Sequence, residues 1–180
     1  MVLDKENDSD GISGFNPSVS LAAFLVCFGG REDIYEDIVR EAFAELDAAE
    51  PAGDGLKCYI VSYLMLKNSG IEDVIELAEA KEQLVRKLEQ TICPDIEKYG
   101  VEYVFGPSEF FCTDACDEFL NDDLRRLTEA EKAVLGKLQQ DDGGFDITWK
   151  WYTPYDAEYE QARKWWRAKI TICRMLFAGR

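Results

Sequence analysis

The sequence predicts an all-α protein built from stacked αα-hairpins in two layers. Two kinds of helical segment alternate along the chain: segments that are apolar on nearly all sides, and segments that carry a single apolar stripe. A helix that is apolar all round must be covered on several sides, whereas a one-striped helix lies between core and solvent. Short breaks rich in glycine or proline separate the segments and favour antiparallel neighbours. The alternation therefore indicates an inner and an outer layer of helices.

The first hairpin follows a polar, acidic stretch over residues 1–14, which is predicted to be a flexible leader. Asn16 is placed to cap a helix that starts with Pro17, because proline favours the first helical position. This helix is apolar on nearly all sides and is predicted to end near Phe28. Residues 33–49 follow as a one-striped helix with acidic residues behind the stripe.

The second hairpin pairs an apolar helix over residues 56–66 with a one-striped helix over residues 71–92. The aromatic stretch 99–111 then interrupts the helical spacing. A long ordered segment of this kind either has a function or folds back as a lid over the helix ends.

Two further helices are predicted in the last third of the chain. Thr128 and Glu131 have the spacing of a capping box, which predicts a helix start at that point. Asp156 is placed to cap the last helix and Gly179 to end it. One face of that helix gathers the residues expected in the core: Tyr159, Ala162, Trp166, Ile170, Cys173 and Phe177. Residues 15–180 are therefore predicted to form one helical domain.

The most specific motif follows the fifth predicted helix. An apolar helix end runs into two glutamines, two aspartates, two glycines and a large aromatic residue. These residues are Gln139, Gln140, Asp141, Asp142, Gly143, Gly144 and Phe145. Glutamine side chains can cap backbone groups, a glycine can take a positive φ without strain, and the phenylalanine can seal the turn. The motif therefore predicts a structural turn at the helix end.

This motif resembles the repeat of the squalene-cyclase and protein-prenyltransferase superfamily. Trp149, Trp151, the segment 161–167 and the helix that ends at Ala178 also resemble the carboxy-terminal end of bacterial prenyltransferase-like proteins. The resemblance implies a partial α/α toroid, because the chain is long enough for only part of a closed ring. It also implies that the turn ties one helix end to the next.

The superfamily uses two kinds of reactive centre, and the sequence contains neither motif. The cyclases protonate their substrate with an Asp-x-Asp-Asp motif, which does not occur in this chain. The protein prenyltransferases hold zinc through Asp, Cys and His, and this chain has no histidine. The lack of histidine also excludes Ser-His-Asp and Cys-His catalysis. We therefore expect no catalytic residue, no metal and no cofactor.

The six cysteines are expected to be reduced thiols, several of them buried as small apolar side chains. Cys112 and Cys116 are four residues apart, so a helix would bring both thiols to one face. A zinc site needs a second pair of ligands, and no such pair accompanies them. We therefore expect unpaired thiols at these two positions.

The chain carries 36 acidic and 20 basic residues, for a formal net charge of −16. An acidic surface repels phosphate backbones and anionic lipid head groups, so we expect neither nucleic-acid nor membrane-surface partners. No signal peptide is apparent, and the longest apolar run is too short to span a bilayer. These features predict a soluble cytoplasmic protein.

A set of large aromatic residues near the end of the chain is the candidate binding site. Its members are Trp149, Trp151, Tyr152, Tyr155, Trp165 and Trp166. Such a set can line a cavity for an apolar small molecule such as an isoprenoid. It can also seal the last hairpin against its neighbours. A third hypothesis is a carboxylate-dependent glycosidase or lyase, in which Asp142 or Asp146 acts beside the wall of Trp149 and Trp151.

A partial ring leaves its inner helices open on one side. We expect either a second copy in a homodimer or a different partner chain to cover them. Trp165 and Trp166 are candidate anchors, because large aromatic side chains contribute strongly to interfaces. The leading hypothesis is a diverged toroid domain without catalysis, which binds an apolar ligand or a protein partner.

Overall fold

A computed structural model describes residues 13–49, 53–150 and 154–179. Every regular element in these ranges is a helix, which confirms the all-α class. The α-helices are α1 (Ser18–Phe28), α2 (Asp33–Glu45), α3 (Gly53–Asn68), α4 (Leu77–Thr91), α5 (Asp122–Leu138) and α6 (Asp156–Ala178). Short 3₁₀ helices cover Ser13–Phe15, Ile96–Lys98, Pro107–Glu109 and Asp114–Phe119. Within the described ranges, every helix is too short or too polar to cross a membrane.

The contacts divide the chain between Thr91 and Ile92 into two compact units. The first unit contains α1 to α4, and the second contains α5, α6 and the segment that precedes them. The single domain over residues 15–180 and the partial toroid remain predictions. Most of the predicted leader lies outside the described residues, which begin with the 3₁₀ helix at Ser13.

The first unit is organised around α1 and α3. α1 packs against both α2 and α3, and α3 packs against α4. α1 and α3 are the two helices that the sequence predicts to be apolar on most sides. α2 and α4 bury one stripe each, with Val39, Ala42 and Phe43 in α2 and Ala80, Leu84 and Leu88 in α4. The contacts follow the predicted alternation of helix types, but the burial of α1 does not, because Leu21, Phe24 and Phe28 are exposed.

Lys87 links α4 to the end of α2. Lys87 is 4% exposed, and its ammonium donates hydrogen bonds to the backbone carbonyls of Asp47 (3.0 Å) and Ala49 (2.6 Å). Asp47 and Ala49 lie in the turn that follows α2, and backbone carbonyls that are shielded from water need a hydrogen-bond donor. A buried lysine therefore supplies the donors that these carbonyls need.

The start of α1 differs from the prediction. The helix begins at Ser18, and Asn16 does not cap it. The Asn16 side-chain oxygen instead accepts a hydrogen bond from the Cys58 thiol of α3 (3.2 Å). A tertiary contact has therefore replaced the local cap.

The start of α4 also differs, because the helix begins at Leu77 and not at Ile71. The residues between them form bends. Asp73 in this segment forms an ion pair with Arg31 (2.9 Å), which lies in the loop after α1. The predicted helix extends back to Ile71 because Val74 fits the apolar spacing of a helix. Val74 is buried, but it lies in the bend before α4 and not in a helix.

The predicted capping box is wrong. α5 begins at Asp122 and is capped by Asn121, whose side chain accepts the Leu124 N–H (3.0 Å). Thr128 and Glu131 therefore lie in the middle of the helix. The Thr128 hydroxyl donates to the Leu124 carbonyl one turn earlier (2.8 Å), and both side chains are buried.

The second unit is centred on the 3₁₀ helix Pro107–Glu109, which packs against both α5 and α6. α5 and α6 also contact each other directly. The largest fully buried side chains of this unit include Phe111, Phe119, Leu124 and Phe177. The aromatic segment that interrupts the helices therefore contributes to the core of this unit.

Candidate functional site

The turn after α5 is closed by hydrogen bonds among its own residues. The Gln139 side chain donates to the Gly143 carbonyl (2.7 Å). The Gln140 N–H donates to the Gly144 carbonyl (2.8 Å), and the Gly143 N–H donates to the Gln140 carbonyl (2.8 Å). Gly143 has a φ of +81°, in the left-handed region that glycine adopts without strain. These contacts hold the chain after α5 in one compact geometry.

Asp142 and Phe145 attach this turn to α6. Asp142 accepts a hydrogen bond from the Gly144 N–H (3.0 Å) and forms an ion pair with Arg167 of α6 (2.9 Å). The Phe145 N–H donates to the Thr171 hydroxyl (3.0 Å), and the Phe145 ring is buried. The turn therefore joins the end of α5 to the side of α6.

Asp142 and Asp146, the carboxylates of the glycosidase hypothesis, are both paired with arginines. Asp146 forms an ion pair with Arg163, and Arg167 lies 3.8 Å away from it. The pKa of Asp142 is lowered by the Gly144 N–H and then by Arg167. The pKa of Asp146 is lowered chiefly by the Arg163 hydrogen bond. A general acid for glycoside hydrolysis needs a raised pKa, so these environments argue against a glycosidase at this site.

Trp149 is the centre of a cluster of aromatic rings. Its ring centroid lies 5.7 Å from the ring centroids of both Trp166 and Tyr103. The ring centroids of Tyr103 and Phe105 lie 6.1 Å apart, and those of Phe105 and Phe110 lie 6.0 Å apart. Tilted and edge-on arrangements at these distances are favourable for aromatic pairs. The tertiary structure thus joins two residues of the predicted binding site to the aromatic segment before α5. We call these five residues the aromatic cluster.

The other members of the predicted binding site are placed differently. Tyr155 is 63% exposed, and Trp165 is 68% exposed. Trp151 and Tyr152 lie outside the described residues. Among the predicted binding residues that the structure describes, Trp149 therefore packs against other rings, whereas the indole of Trp165 is largely exposed.

The most distinct exposed feature of the second unit is an apolar surface along α6, which we call the α6 stripe. It consists of Trp165, Ala168, Ile172, Met175 and Leu176, which are all exposed. Their spacing of three and four residues places them on one face of the helix. Lys164 and Lys169 are also exposed, and the helical spacing puts them along the two edges of the stripe.

A shallow groove of about 550 Å³ lies beside the α6 stripe. Its lining includes Asp142, Gly143 and Gly144 from the turn and Ala168, Ile172 and Met175 from α6. The groove therefore has an apolar wall on one side and the backbone of the turn on the other. A side chain that docked on the α6 stripe would find space there.

Sequence reasoning did not identify the α6 stripe. It placed the core of α6 on another face, and Tyr159, Ala162, Ile170 and Phe177 of that face are buried. Trp166, which was expected on the same face, is 39% exposed. The sequence did contain a sign of this surface, because α6 carries apolar residues on two faces and only one face was assigned to the core.

Sequence reasoning also did not identify the polar contacts that bury Glu131. The carboxylate of Glu131 is 1% exposed and accepts hydrogen bonds from the Ser108 N–H (2.7 Å) and the Ser108 hydroxyl (2.6 Å). Burial raises the pKa of Glu131, although both hydrogen bonds from Ser108 oppose the rise. This buried carboxylate thus anchors the 3₁₀ helix Pro107–Glu109 to α5.

The described residues contain no group of three or more Cys, Asp or Glu side chains that could hold a metal ion. Comparisons of the chain with protein-family models, with curated proteins and with solved structures found no match. The function is therefore inferred from the geometry of the chain itself.

Proposed function

We propose that this chain is a helical binding domain without catalytic activity, and that it docks onto a second copy of itself through the α6 stripe. The observation that carries the proposal is the exposure of the stripe. Trp165, Ile172, Met175 and Leu176 are between 51% and 68% exposed. Monomeric soluble proteins rarely expose a contiguous apolar surface of this kind, and such surfaces mark interaction sites.

The first unit offers a complementary surface on α1. Leu21, Phe24 and Phe28 lie on one face of that helix and are 59%, 51% and 66% exposed. We call them the α1 stripe. α1 contains no charged residue, and the neighbouring α2 exposes acidic residues such as Glu41 and Glu45. The α1 stripe therefore offers the α6 stripe an apolar surface of the same kind on a second copy, which favours a second copy as the partner.

We also propose that the domain is a diverged member of the prenyltransferase-like α/α-toroid group. The turn from Gln139 to Phe145 at the end of α5 supports this, as does the alternation of helix types in the first unit. The missing acid motif and the missing histidine support a role in binding and not in cyclase or zinc chemistry. The exposed α1 stripe also supports the proposal, because a partial ring would leave an apolar side of its inner helices open.

Light scattering tests the association. We expect the wild-type chain at micromolar concentration to have twice its 20.5 kDa mass. Ile172→Asp puts a charge into the centre of the α6 stripe and should weaken association by roughly tenfold or more, the size of a hot-spot effect. Phe24→Asp should do the same from the α1 stripe, because both surfaces belong to one interface.

Val101→Asp is the matched control. Val101 is 66% exposed, comparable with Ile172 at 60%, but it lies outside both stripes. It should leave the mass unchanged. A wild-type chain that is monomeric and binds no apolar dye would contradict the proposal, and so would a dimer that both stripe variants leave intact.

A second candidate is an apolar small molecule at the aromatic cluster. The observation that favours it is the continuous row of ring contacts, in which Tyr103 at 64% and Trp166 at 39% exposure leave two rings accessible. Accessible aromatic rings beside packed ones offer an apolar ligand a preformed wall.

Titration calorimetry with a polyprenyl alcohol such as farnesol tests this second candidate. Trp149→Leu removes the central ring and should reduce the affinity by about tenfold, a loss on the scale of one or two aromatic contacts. Trp165→Leu changes a tryptophan outside the described ring contacts and should leave the affinity unchanged. Absence of binding to the wild-type chain, or equal loss in both variants, would exclude the aromatic cluster as the ligand site.

A further inference from the structure

We infer that a cavity in the second unit is a binding site for a small zwitterion, a molecule that carries one carboxylate and one ammonium group, such as a free amino acid. The cavity has a volume of about 520 Å³, which is a usual size for a small-molecule site. The described residues that line it all lie in the second unit, and none belongs to the α6 stripe or to the aromatic cluster. The inference therefore does not depend on the proposed dimer.

The cavity has an apolar inner end. Phe111 and Phe177 both line it, and each is only 1% exposed, so their rings form its buried end. Leu120 lines it as well and is half-buried. Such a surface suits a short hydrocarbon group, because the removal of apolar surface from water is favourable. The aliphatic part of a ligand therefore has a place beside these three side chains.

One wall of the cavity carries a guanidinium without a partner among the described residues. Arg125 lines the cavity from α5, and its side chain makes no hydrogen bond or ion pair with any residue that the structure describes. The next residue, Arg126, lies outside the lining and pairs with Asp123 (3.4 Å). A guanidinium binds a carboxylate through two parallel hydrogen bonds. Arg125 is therefore placed to bind the carboxylate of a ligand.

The other two charged residues of this wall pair with each other. Lys132 forms an ion pair with Glu129 (3.3 Å), and its ammonium lies 5.7 Å from the centroid of the Phe177 ring. Both residues line the cavity from the same face of α5 as Arg125, because they follow it by four and seven residues. The positive charge that this wall presents to a ligand is therefore that of Arg125.

A second wall carries two carboxylates. Asp114 and Asp117 line the cavity from the 3₁₀ helix Asp114–Phe119, and both are exposed. Carboxylates attract an ammonium group and repel a phosphate or a second carboxylate. A ligand that is only an anion would be repelled by this wall, and a ligand that is only a cation would be repelled by Arg125. A ligand with one charge of each sign is complementary to both walls, which favours a zwitterion.

NMR titration of the isotope-labelled full-length chain with L-leucine at pH 7 tests this inference. The amide signals of Asp114–Phe119 and of the residues around Thr128 should shift and should saturate at millimolar ligand. Isopentylamine lacks the carboxylate of leucine, and isocaproate lacks its ammonium group. Each should bind the wild-type chain roughly tenfold more weakly than leucine, which is the size of one charge-assisted hydrogen bond.

Two variants exchange these preferences in opposite ways. Arg125→Gln should weaken leucine binding by roughly tenfold and remove the preference for leucine over isopentylamine, because the carboxylate has lost its partner. The double variant Asp114→Asn with Asp117→Asn should instead remove the preference for leucine over isocaproate. Arg126→Gln is the matched control, because Arg126 is exposed on the same helix but lies outside the lining. It should leave the affinity for leucine unchanged.

The comparison of the three ligands on the wild-type chain decides the matter without any variant. Leucine shifts that do not saturate, or an amine or a carboxylate that binds as tightly as leucine, would overturn the inference. An equal loss of leucine binding in Arg125→Gln and Arg126→Gln would overturn it as well.

Discussion

The Glu131→Ala variant is expected to lose about 3–5 kcal/mol of unfolding free energy, the range found when one partner of a buried charged network is removed. Glu131 is 1% exposed and accepts both the N–H and the hydroxyl of Ser108. Alanine leaves these two donors buried without an acceptor. It also removes the negative charge that favours the charged form of the buried Arg174.

Urea unfolding followed by tryptophan fluorescence measures this loss in the second unit, because the sequence of the first unit contains no tryptophan, whereas Trp149, Trp165 and Trp166 lie in the second unit. Glu129→Ala is the matched control. Glu129 is exposed on the same helix and forms an ion pair with Lys132 (3.3 Å). Such surface pairs contribute about 0–1 kcal/mol. Equal losses in the two variants would show that Glu131 does not anchor the 3₁₀ helix.

The pH dependence of stability separates the charge of Glu131 from its hydrogen bonds. Burial raises the folded-state pKa of Glu131 above its usual value of 4.5, so the folded state holds the proton more tightly than the unfolded state. The stabilisation from this proton is complete below pH 4.5 and is lost as the pH rises through the folded-state pKa. Glu131→Gln keeps one acceptor and has no proton to lose. The unfolding free energy of the wild type should therefore fall relative to that of Glu131→Gln as the pH rises.

The second large effect is expected from Phe145→Ala, which should cost about 3–5 kcal/mol of unfolding free energy, as other buried phenylalanines do when they are truncated. The Phe145 ring is 4% exposed, and the guanidinium of Arg174 lies 5.2 Å from its centroid. Its backbone N–H donates to Thr171 of α6. The loss of this ring opens a cavity between the turn and α6, and it removes the cation–π contact with Arg174.

Phe145→Leu and Tyr155→Ala are the two comparison variants for this prediction. Leucine refills most of the volume and should cost less than about 1.5 kcal/mol, which is typical of hydrophobic exchanges of similar size. Tyr155 lies in the same unit but is 63% exposed, so its truncation should cost less than about 1 kcal/mol. If Phe145→Ala behaved like Tyr155→Ala in the fluorescence-detected unfolding, the turn would not be held to α6 by its aromatic residue.

The helices and the turn are the parts that could be read from the sequence, because their determinants are close together in the chain. The periodicity of apolar residues predicts α1, α2 and α3 with small errors at their ends. The Gln139 side chain reaches the Gly143 carbonyl four residues later, and a positive φ at Gly143 is a property of glycine itself. Such features depend on one or two turns of chain and on little else.

The positions of the helix starts show where local signals compete with tertiary contacts. Thr128 and Glu131 have the sequence spacing of a capping box, yet Glu131 pairs with Ser108, which lies 23 residues earlier. Asn16 has the position of a cap, yet its side chain accepts from Cys58, 42 residues later. A polar side chain takes whichever partner the packing offers, and the sequence does not state which partners will be near.

Only the tertiary structure decided which face of α6 is exposed and which distant side chains meet. α6 has apolar residues on two faces, and the sequence contains no rule for choosing between them. The choice depends on where Pro107–Glu109 and α5 lie, since these cover one face and leave the α6 stripe open. The same packing brings Trp166 to Trp149. Periodicity determines that a helix forms, whereas contacts between segments far apart in the chain determine which of its residues are free to bind or react.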